Sequence, residues 1–371
     1  IGDGVTEIGY QSFYQCDQLQ FVTISDTVKT IAEDAFKLTG LTELTIGNNV
    51  TTIGTAAFST CNGLKNVIVP ASVTSIGRYA FDNGGLESIT ILGNVTLQDY
   101  VFLKAYHLTT FNLLGNDVNF GTELFRHFEP NFISVGFGSK IIATKFNNYL
   151  NQARYASIQS VTLGKNANGD EFSNANVFSD YTGLTSVTLH SDTAVAKFKT
   201  IFPNRLSYIN NVTIGDGVIK IGFEAFKNCN QIQYVTFADT VKTIGNSSFS
   251  WCASLKNVII PASVTSIERY AFDKGGLESI TILGNVTIEY GAFMNDHQLA
   301  TFNLLGNQVT LENGVFTWCA NIASVTLGSN SAVNAFTTSY TTKASVTSVI
   351  LGDNVTSIDD NKFQGFTGLN S

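Results

Sequence analysis

Few side chains in this 371-residue chain have the types and spacing that catalysis would need. A glycosidase-like reaction uses two facing carboxylates about 5–10 Å apart, and the outward acids on predicted strands are Glu43, Glu87 and Glu278. We assign Glu43 and Glu87 to neighbouring turns, but no groove is evident beside both. The acids therefore do not predict a catalytic pair.

The cysteines and histidines are few and scattered. Zinc sites need clustered ligands such as Cys-x-x-Cys, whereas each cysteine stands alone, three residues before an apolar strand-opening residue: Cys16, Cys61, Cys229, Cys252 and Cys319. We expect buried thiols, with a Cys229–Cys252 disulfide as the alternative in an exported chain. Each histidine falls in a different repeat, so no catalytic or metal role is predicted: His107, His127, His190 and His297.

Two kinds of loop have a superficial likeness to ligand sites. Gly2-Asp3-Gly4 and Gly215-Asp216-Gly217 lack the helix and the full G-x-G-x-x-G pattern of a phosphate site. Asp170 and Glu171 are acidic, but two acids fall short of an EF-hand ligand set, so we predict a solvated turn. The sequence thus predicts no catalytic residue, no cofactor and no metal site.

Composition excludes several classes of protein. Hydrophobic residues make up 44% and charged residues only 13%, which is too apolar for a disordered chain. No run approaches the ~20 apolar residues of a membrane-spanning helix. The net charge of −8 disfavours binding to nucleic acid or to an acidic membrane surface.

Internal repeats define the architecture. Residues 61–96 and 252–287 differ at only five of 36 positions, so a block of about 190 residues is duplicated. Within each block an apolar residue opens a new unit every 22–26 residues, giving fifteen full units and a partial unit at each end. In each unit a stretch such as Val67-Ile68-Val69 alternates as a short strand does. Because one such unit cannot bury its own core, successive units must stack with parallel strands side by side.

Phenylalanine is the most regular feature of the repeat. It follows the small residue of an Ala-Phe pair in units such as Ala80-Phe81 and recurs in every unit, with Phe198 or Phe202 serving the least regular one. We predict that these rings stack as a continuous aromatic spine inside the solenoid.

The repeat string L-x-x-V-x-I-P-x-x-V-x-x-I-G-x-x-A-F-x-x-C resembles the BspA-like leucine-rich repeat family. The likeness covers essentially the whole chain and is strongest in residues 61–96 and 252–287. It implies a leucine-rich-repeat solenoid of about 15–16 repeats of ~23 residues, right-handed. One parallel sheet would line the concave face, with turns and short helices on the convex face. It also implies cell-surface or secreted bacterial proteins, some of them adhesins.

We expect one continuous solenoid over residues 1–371, with duplicated halves at about 1–190 and 214–371. Residues 130–210 depart most from the repeat and are expected to be more helical. Residues 139–165 and 191–207 are predicted to be helical, because the apolar residues of 139–154 and 191–203 follow a helical period. Both ends read as partial repeats, so we expect a piece trimmed from a longer chain.

The partner-binding residues are predicted on the concave strand face, where the outward positions are mostly Thr, Ser and Asn. Phe21 and Tyr234 are outward aromatics in equivalent repeats and would be good anchors for a partner. The alternative is that they are scattered surface apolar residues. The predicted clusters comprise Phe21, Gln20, Thr23 and Thr45 in one half, and Tyr234, Gln233, Thr213 and Thr236 in the other.

A basic patch is the alternative binding site. No acid occurs between Glu129 and Asp170, and basic residues cluster in the two helical stretches: Lys140, Lys145, Arg154, Lys197 and Lys199. Such a patch on the convex side could contact an anionic glycan or a protein, or be a solvated helix face.

The function predicted from the sequence is a non-catalytic cell-surface or secreted adhesion module that binds an extracellular protein or glycan. A structural spacer, whose function lies in neighbouring domains, is the alternative. An enzyme is the third and least supported reading.

Overall fold

Stacked repeats, most of which contribute two short parallel strands, build the fold in the computed structural model of the chain. The structure describes residues 1–125, 131–149, 152–172 and 176–370, without the side chains of residues 149 and 152–154. The chain divides into two compact units, Ile1–Glu171 with Asp180–Leu184, and Phe172–Ser179 with Thr185–Ser371.

In the first unit, main strands alternate along the chain with shorter minor strands. The main strands are β2 (Phe21–Thr23), β4 (Glu43–Thr45), β6 (Asn66–Val69), β8 (Ser88–Ile91), β10 (Thr110–Leu113), β12 (Ser134–Phe137) and β13 (Ser160–Leu163). The minor strands are β1 (Glu7–Ile8), β3 (Thr30–Ile31), β5 (Thr52–Ile53), β7 (Ser75–Ile76), β9 (Val95–Leu97) and β11 (Val118–Phe120). Strand β2 pairs with β4, strands β6, β8, β10, β12 and β13 follow in one parallel sheet, and the minor strands form another.

The second unit repeats this plan. Its main strands are β14 (Ser186–Leu189), β15 (Asn211–Ile214), β17 (Tyr234–Phe237), β19 (Asn257–Ile260), β21 (Ser279–Ile282), β23 (Thr301–Leu304), β25 (Ser324–Ser329) and β26 (Ser348–Asn354). Its minor strands are β16 (Lys220–Ile221), β18 (Thr243–Ile244), β20 (Ser266–Ile267), β22 (Val286–Ile288) and β24 (Val309–Leu311). Main strands β14, β15 and β17 are neighbours in one parallel sheet, and β19, β21, β23, β25 and β26 form another. The minor strands β16, β18, β20, β22 and β24 form their own parallel sheet.

Alternation within the main strands separates core from surface. In β6 the side chains of Val67 and Val69 are buried, whereas those of Asn66 and Ile68 are exposed. This confirms the predicted strand, and the same alternation places every second residue of most main strands in the apolar interior. The minor strands were not predicted, because a two-residue strand such as Ser75–Ile76 is too short for alternation to show.

The predicted aromatic spine is present in both units. In the first unit the ring centroids of Phe36, Phe58 and Phe81 follow at 5.4 and 5.6 Å with nearly parallel planes. In the second, Phe249 and Phe272 stack at 5.4 Å. Offset stacking of buried rings adds to the free energy of area burial, so the spine couples the regular repeats of each unit to their neighbours.

Polar side chains in the turns also join successive repeats. The Asp26 carboxylate accepts a hydrogen bond from the backbone N–H of Asn48 at 2.6 Å, and Asn94 Oδ1 accepts from two backbone amides of the following turn. Asn285 repeats the Asn94 arrangement in the second unit. These bonds satisfy backbone donors that the short strands leave unpaired.

Helices occupy the stretches where the repeat is loose. They are α1 (Lys140–Tyr149), α2 (Gly169–Phe172), α3 (Asp192–Ala196), α4 (Phe198–Ile201) and α5 (Asn330–Ser339), with 3₁₀ turns at Gln152–Ser157 and Lys343–Ser345. Helices are thus confirmed within both predicted stretches, 139–165 and 191–207, but strand β13 occupies the end of the first one. Helix α3 is capped by Ser191, whose hydroxyl accepts from the backbone N–H of Ala194. Helix α5 was not predicted, and α2 replaces the solvated turn expected at Asp170 and Glu171.

Candidate functional site

The outward residues of the main strands form what we call the main-strand face of each unit. Parallel pairing places equivalent residues side by side, so Thr23 lies opposite Thr45 and Thr213 lies opposite Thr236. The hydroxyls and amides of this face point away from the core. Because the strand geometry is regular, these side chains are held on a rigid surface that needs no rearrangement to receive a ligand.

The predicted cluster around Phe21 exists in the first unit. The Phe21 side chain is 63% exposed, and the residue is in register with Glu43 on the neighbouring strand. The Gln20 carbonyl oxygen accepts hydrogen bonds from the backbone N–H groups of Thr42 and Glu43 at 2.9 and 3.1 Å. All four residues of the predicted cluster, Phe21, Gln20, Thr23 and Thr45, are exposed.

The matching cluster around Tyr234 exists in the second unit. Its side chain is 64% exposed and lies in register with Asn211 of the preceding strand. Gln233 is exposed beside it. Ile68 and Ile259, 63% and 64% exposed, place further apolar groups on the main-strand face of each unit. Exposed aromatic and aliphatic groups on a rigid polar sheet are typical of a partner-binding surface.

A shallow open pocket of about 360 Å³ lies beside Tyr234. It is lined by Gln233, Tyr234, Ser254, Lys256 and Asn257. The prediction included the first two residues and missed the other three. The following repeat contributes Ser254, Lys256 and Asn257. The sequence gives no indication that they line a pocket beyond the recurrence of their Lys-Asn pair at Lys65-Asn66.

Ion pairs neutralise most charge next to the main-strand face. Lys256 Nζ lies 3.4 Å from Glu278 Oε1 and also donates a hydrogen bond to Gln298. In the first unit, Lys65 Nζ lies 2.8 Å from Glu87 Oε1. Because these acids are paired with lysines and largely exposed, they are not arranged as a general acid and a nucleophile.

The placement of Glu43 and Glu87 in neighbouring turns was wrong. Glu43 opens β4, whereas Glu87 precedes β8, and strand β6 of the intervening repeat lies between these strands in the chain. The repeat spacing of about 22 residues accounts for the error, since Lys65 and Asn66 hold the equivalent places in the intervening repeat.

Among the described residues, one histidine lies beside an acid. His190 Nδ1 is 2.6 Å from Asp216 Oδ1. His127 lies outside the described residues. Among the residues that the structure describes, no three His, Cys, Asp or Glu side chains form a cluster that could hold a metal ion.

Metal removal is expected to leave the fold unchanged. The melting temperature in excess EDTA should stay within one degree of that in buffer, as measured by circular dichroism, because packing and hydrogen bonds hold the described repeats together. A fall of several degrees that calcium reverses would contradict this, and Asp170 and Glu171 would then be the first residues to test.

The basic residues of the alternative patch belong to separate units. In the first unit, Lys140 opens α1, and Lys145 Nζ lies 2.7 Å from Asp117 Oδ1. That hydrogen bond holds the pKa of Asp117 below its usual value, so the charge of Lys145 is largely neutralised. The side chain of Arg154 lies outside the described residues.

In the second unit, Lys197 and Lys199 flank the junction of α3 and α4. Lys197 is exposed, and Lys199 Nζ reaches the carbonyl oxygen of Lys227 at 3.5 Å. These lysines lie on or beside helices rather than on the main-strand face. The basic patch therefore stays a prediction, with its residues divided between the two units.

All five cysteines are free thiols in the structure. Four are buried, and the Cys252 Sγ donates to the Phe226 carbonyl oxygen at 3.2 Å. Burial raises the pKa of the Cys229 thiol to about 11, so these sulfurs are poor nucleophiles near neutral pH. The expectation of burial was wrong for Cys16, which is exposed. Its repeat is the first in the structure, so no preceding repeat covers it.

No helix in the described ranges is long and apolar enough to cross a membrane. The longest helices, α1 and α5, have ten residues each, half of what a spanning helix needs.

Comparison with known families gives one match. The sequence model described as "BspA type Leucine rich repeat region", with six copies, matches residues 1–109, 199–323 and 243–370. These ranges cover most of the chain and leave out the irregular repeats with α1 and the first 3₁₀ turn. A comparison with curated protein sequences finds no match.

Solved bacterial structures have a distant likeness to the chain. The pneumococcal vaccine antigen PcpA is 17% identical, over 95% of this chain and 87% of that one, with a TM-score of 0.37. A leucine-rich repeat protein from Bacteroides ovatus is 18% identical, over 87% and 82%, with a TM-score of 0.25. A leucine rich cell surface protein from Faecalibacterium prausnitzii is 18% identical, over 99% and 80%, with a TM-score of 0.23. With every TM-score below 0.5, no functional argument follows from them.

Proposed function

Because the chain belongs to the BspA type leucine-rich repeat family, we propose that it is a non-catalytic binding module that holds an extracellular protein or glycan on its main-strand face. Its matching family is a repeat family and not a catalytic one. The proposal places the protein outside a bacterial cell, either secreted or displayed on the surface.

One observation carries this proposal: each unit presents a row of outward Thr, Ser and Asn side chains that is interrupted by exposed apolar anchors. Phe21 and Tyr234 are each more than 60% exposed and lie on parallel strands whose other faces are fully packed. Exposed rings on a preorganised surface lose little conformational freedom on binding, and aromatic residues often dominate the energetics of interfaces.

An array of extracellular matrix proteins and glycans, probed with the whole chain, tests this function. Saturable binding to at least one class of ligand supports the module. Binding to none of them would contradict it and favour the alternative, a structural spacer. The hydrogen bonds that join successive turns, such as Asp26 to Asn48, are what a stiff spacer would also need.

The double variant Phe21→Ser and Tyr234→Ser is expected to weaken binding to the array ligand by roughly tenfold or more. Both side chains are exposed, so the fold should be retained, and circular dichroism with a melting curve checks this. Surface plasmon resonance then measures the affinity.

Charge reversal of Lys140, Lys197 and Lys199 to Glu provides the comparison for the basic patch. These residues lie away from the main-strand face, so the affinity should change by less than about twofold. Unchanged affinity in the double variant, with loss in the charge-reversed one, would move the binding site to the lysines and overturn the proposal.

A further inference from the structure

The geometry points to a neutral glycan as the ligand of the pocket beside Tyr234, with one sugar ring stacked on the Tyr234 side chain. This inference rests on the proposed binding function and specifies its ligand class and its site. The pocket is lined by Gln233, Tyr234, Ser254, Lys256 and Asn257, which two successive repeats contribute.

The shape of the pocket fits a sugar better than a buried small molecule. Its volume of about 360 Å³ is at the lower end for ligand sites, which run to about 1,000 Å³, and it is open to solvent. An exposed aromatic ring forms one part of its lining. The electron-rich face of such a ring attracts the C–H groups on one face of a pyranose, so the ring can serve as a platform for it.

The polar groups of the lining match the hydroxyls of a sugar. Gln233 and Asn257 each carry an amide that both donates and accepts, and Ser254 adds a hydroxyl with the same capacity. On the other strand beside Tyr234, Asn211 is in register with it and supplies a third amide. A ligand that is hydroxylated all round can bond to all of these groups, whereas an apolar peptide would leave them unpaired.

Charge excludes a strongly ionic ligand. Lys256 is the only charged residue of the lining, and its ammonium is already paired with Glu278 at 3.4 Å and hydrogen-bonded to Gln298. The site therefore presents almost no net charge. An anionic glycan would gain little attraction here, and an acidic or basic protein surface would find no complementary partner.

The first unit has a surface at the equivalent position, but most of the pocket residues differ there. A shift of 191 residues aligns Ser254, Lys256 and Asn257 with Gly63, Lys65 and Asn66, and the strand before these carries Thr42 and Glu43 where the second unit carries Gln233 and Tyr234. The sequence around Tyr234 itself matches that around Phe21, at a shift of 213, because the first unit has one more repeat between Phe21 and Lys65. Lys65 and Asn66 are retained, and so is the ion pair to the following acid, here Glu87. The duplicated scaffold thus lacks the ring, one amide and the hydroxyl, so the pocket chemistry belongs to the second unit alone.

Tyr10 provides a matched control. Its side chain is 65% exposed, against 64% for Tyr234, but it follows the minor strand β1 and is not on the main-strand face. Removing this ring leaves the pocket of the second unit intact, and so sugar binding should persist.

Isothermal titration calorimetry and saturation-transfer NMR with neutral hexasaccharides test the inference. The probes are maltohexaose, cellohexaose, mannohexaose and chitohexaose, with a sulfated heparin hexasaccharide as the anionic comparison. We expect at least one neutral probe to bind. Tyr234→Ser should weaken that binding by roughly tenfold or more, whereas Tyr234→Phe and Tyr10→Ser should stay within about threefold of the parent.

The outcomes separate this inference from the proposed function. Binding of a matrix protein on the array without any neutral hexasaccharide would overturn the glycan site and leave the binding function standing. Preference for the heparin fragment, or equal binding by the parent and Tyr234→Ser, would also overturn it. A chain that binds neither sugars nor proteins would contradict both.

Discussion

Truncation of Phe272 to alanine is expected to lower the free energy of unfolding by about 3–5 kcal/mol. The ring is 1% exposed and stacks on Phe249 at 5.4 Å and on Phe293 at 5.7 Å. Alanine would remove both stacking contacts and leave a cavity that the short, hydrogen-bonded strands on either side cannot close. Phe81, its equivalent in the first unit, should behave in the same way, since it stacks on Phe58 and Phe102.

Chemical denaturation, followed by circular dichroism, measures the loss. Phe223→Ala is the matched control, because that ring is 68% exposed and its truncation should change stability by less than about 0.5 kcal/mol. Equal melting temperatures for the parent and for Phe272→Ala, within a degree, would show that the spine does not stabilise the fold.

The repeat architecture predicts that the stability lost in Phe272→Ala is confined to the repeats around the substitution. Each repeat contacts only its neighbours, so a defect at Phe272 weakens two interfaces and leaves the others intact. Hydrogen exchange should therefore show faster opening of β20 and β21, with strands several repeats away much less affected.

The sequence was sufficient to predict the main strands and the spine, because both follow from a pattern that recurs many times. Val67 and Val69 alternate with Ile68, and the same alternation in every unit makes chance unlikely to explain it. The Ala80-Phe81 pair predicts a ring packed against the backbone, which the stack of Phe58, Phe81 and Phe102 confirms.

The turns after the minor strands could not be predicted, because they depend on stacking and not on local preference. Tyr79, Tyr100 and Tyr270 all have positive φ, near 60°, a region that ordinary residues avoid. Hydrogen bonds to the adjacent repeat hold this conformation, as the Tyr270 backbone N–H shows by bonding to the Tyr290 carbonyl oxygen. Glycine occupies the equivalent place in only some repeats, at Gly291 and Gly314 with φ of 68° and 83°, so the sequence gives little sign of the conformation.

Only part of the candidate site could be predicted, because the pocket also depends on how successive repeats stack. Tyr234 and Gln233 are adjacent in the sequence and were identified as one cluster, but Ser254 and Lys256 come from the next repeat. Their convergence depends on side-chain directions across two strands. The pairing of Lys145 with Asp117, 28 residues away, was equally hidden and turned an apparent free cation into half of an ion pair.

Raising the pH from about 4 to about 8 is expected to destabilise the second unit through Asp296. This side chain is fully buried, and neither carboxylate oxygen has a hydrogen-bond partner of good geometry among the described residues. Burial raises its pKa to about 8, and the nearby Asp273 adds to the shift, while the Leu277 backbone amide and Lys256 oppose it. The folded chain therefore carries a neutral carboxylic acid at neutral pH.

The direction of the effect follows from proton linkage. Between pH 3.8 and about 8 the folded chain holds this proton and the unfolded chain does not, so unfolding releases a proton and stability falls as the pH rises. The size of the shift sets an upper limit of roughly 6 kcal/mol, reached above the folded pKa. Local opening of the repeat would let water reach the carboxylate and reduce the loss. The neighbouring Cys319, whose pKa burial raises to about 12, stays neutral throughout this range.

Asp296→Ala isolates this group, because Ala105 occupies the equivalent place in the duplicated block and shows that the scaffold accepts it. The variant should match the parent near pH 4.5 and exceed its free energy of unfolding by a few kcal/mol at pH 8.5. Asp296→Asn keeps the shape without the titration and should show the same flattened pH dependence. Denaturation curves at both pH values measure the difference, and a parallel pH profile for parent and variants would mean that Asp296 keeps an ordinary pKa in the fold.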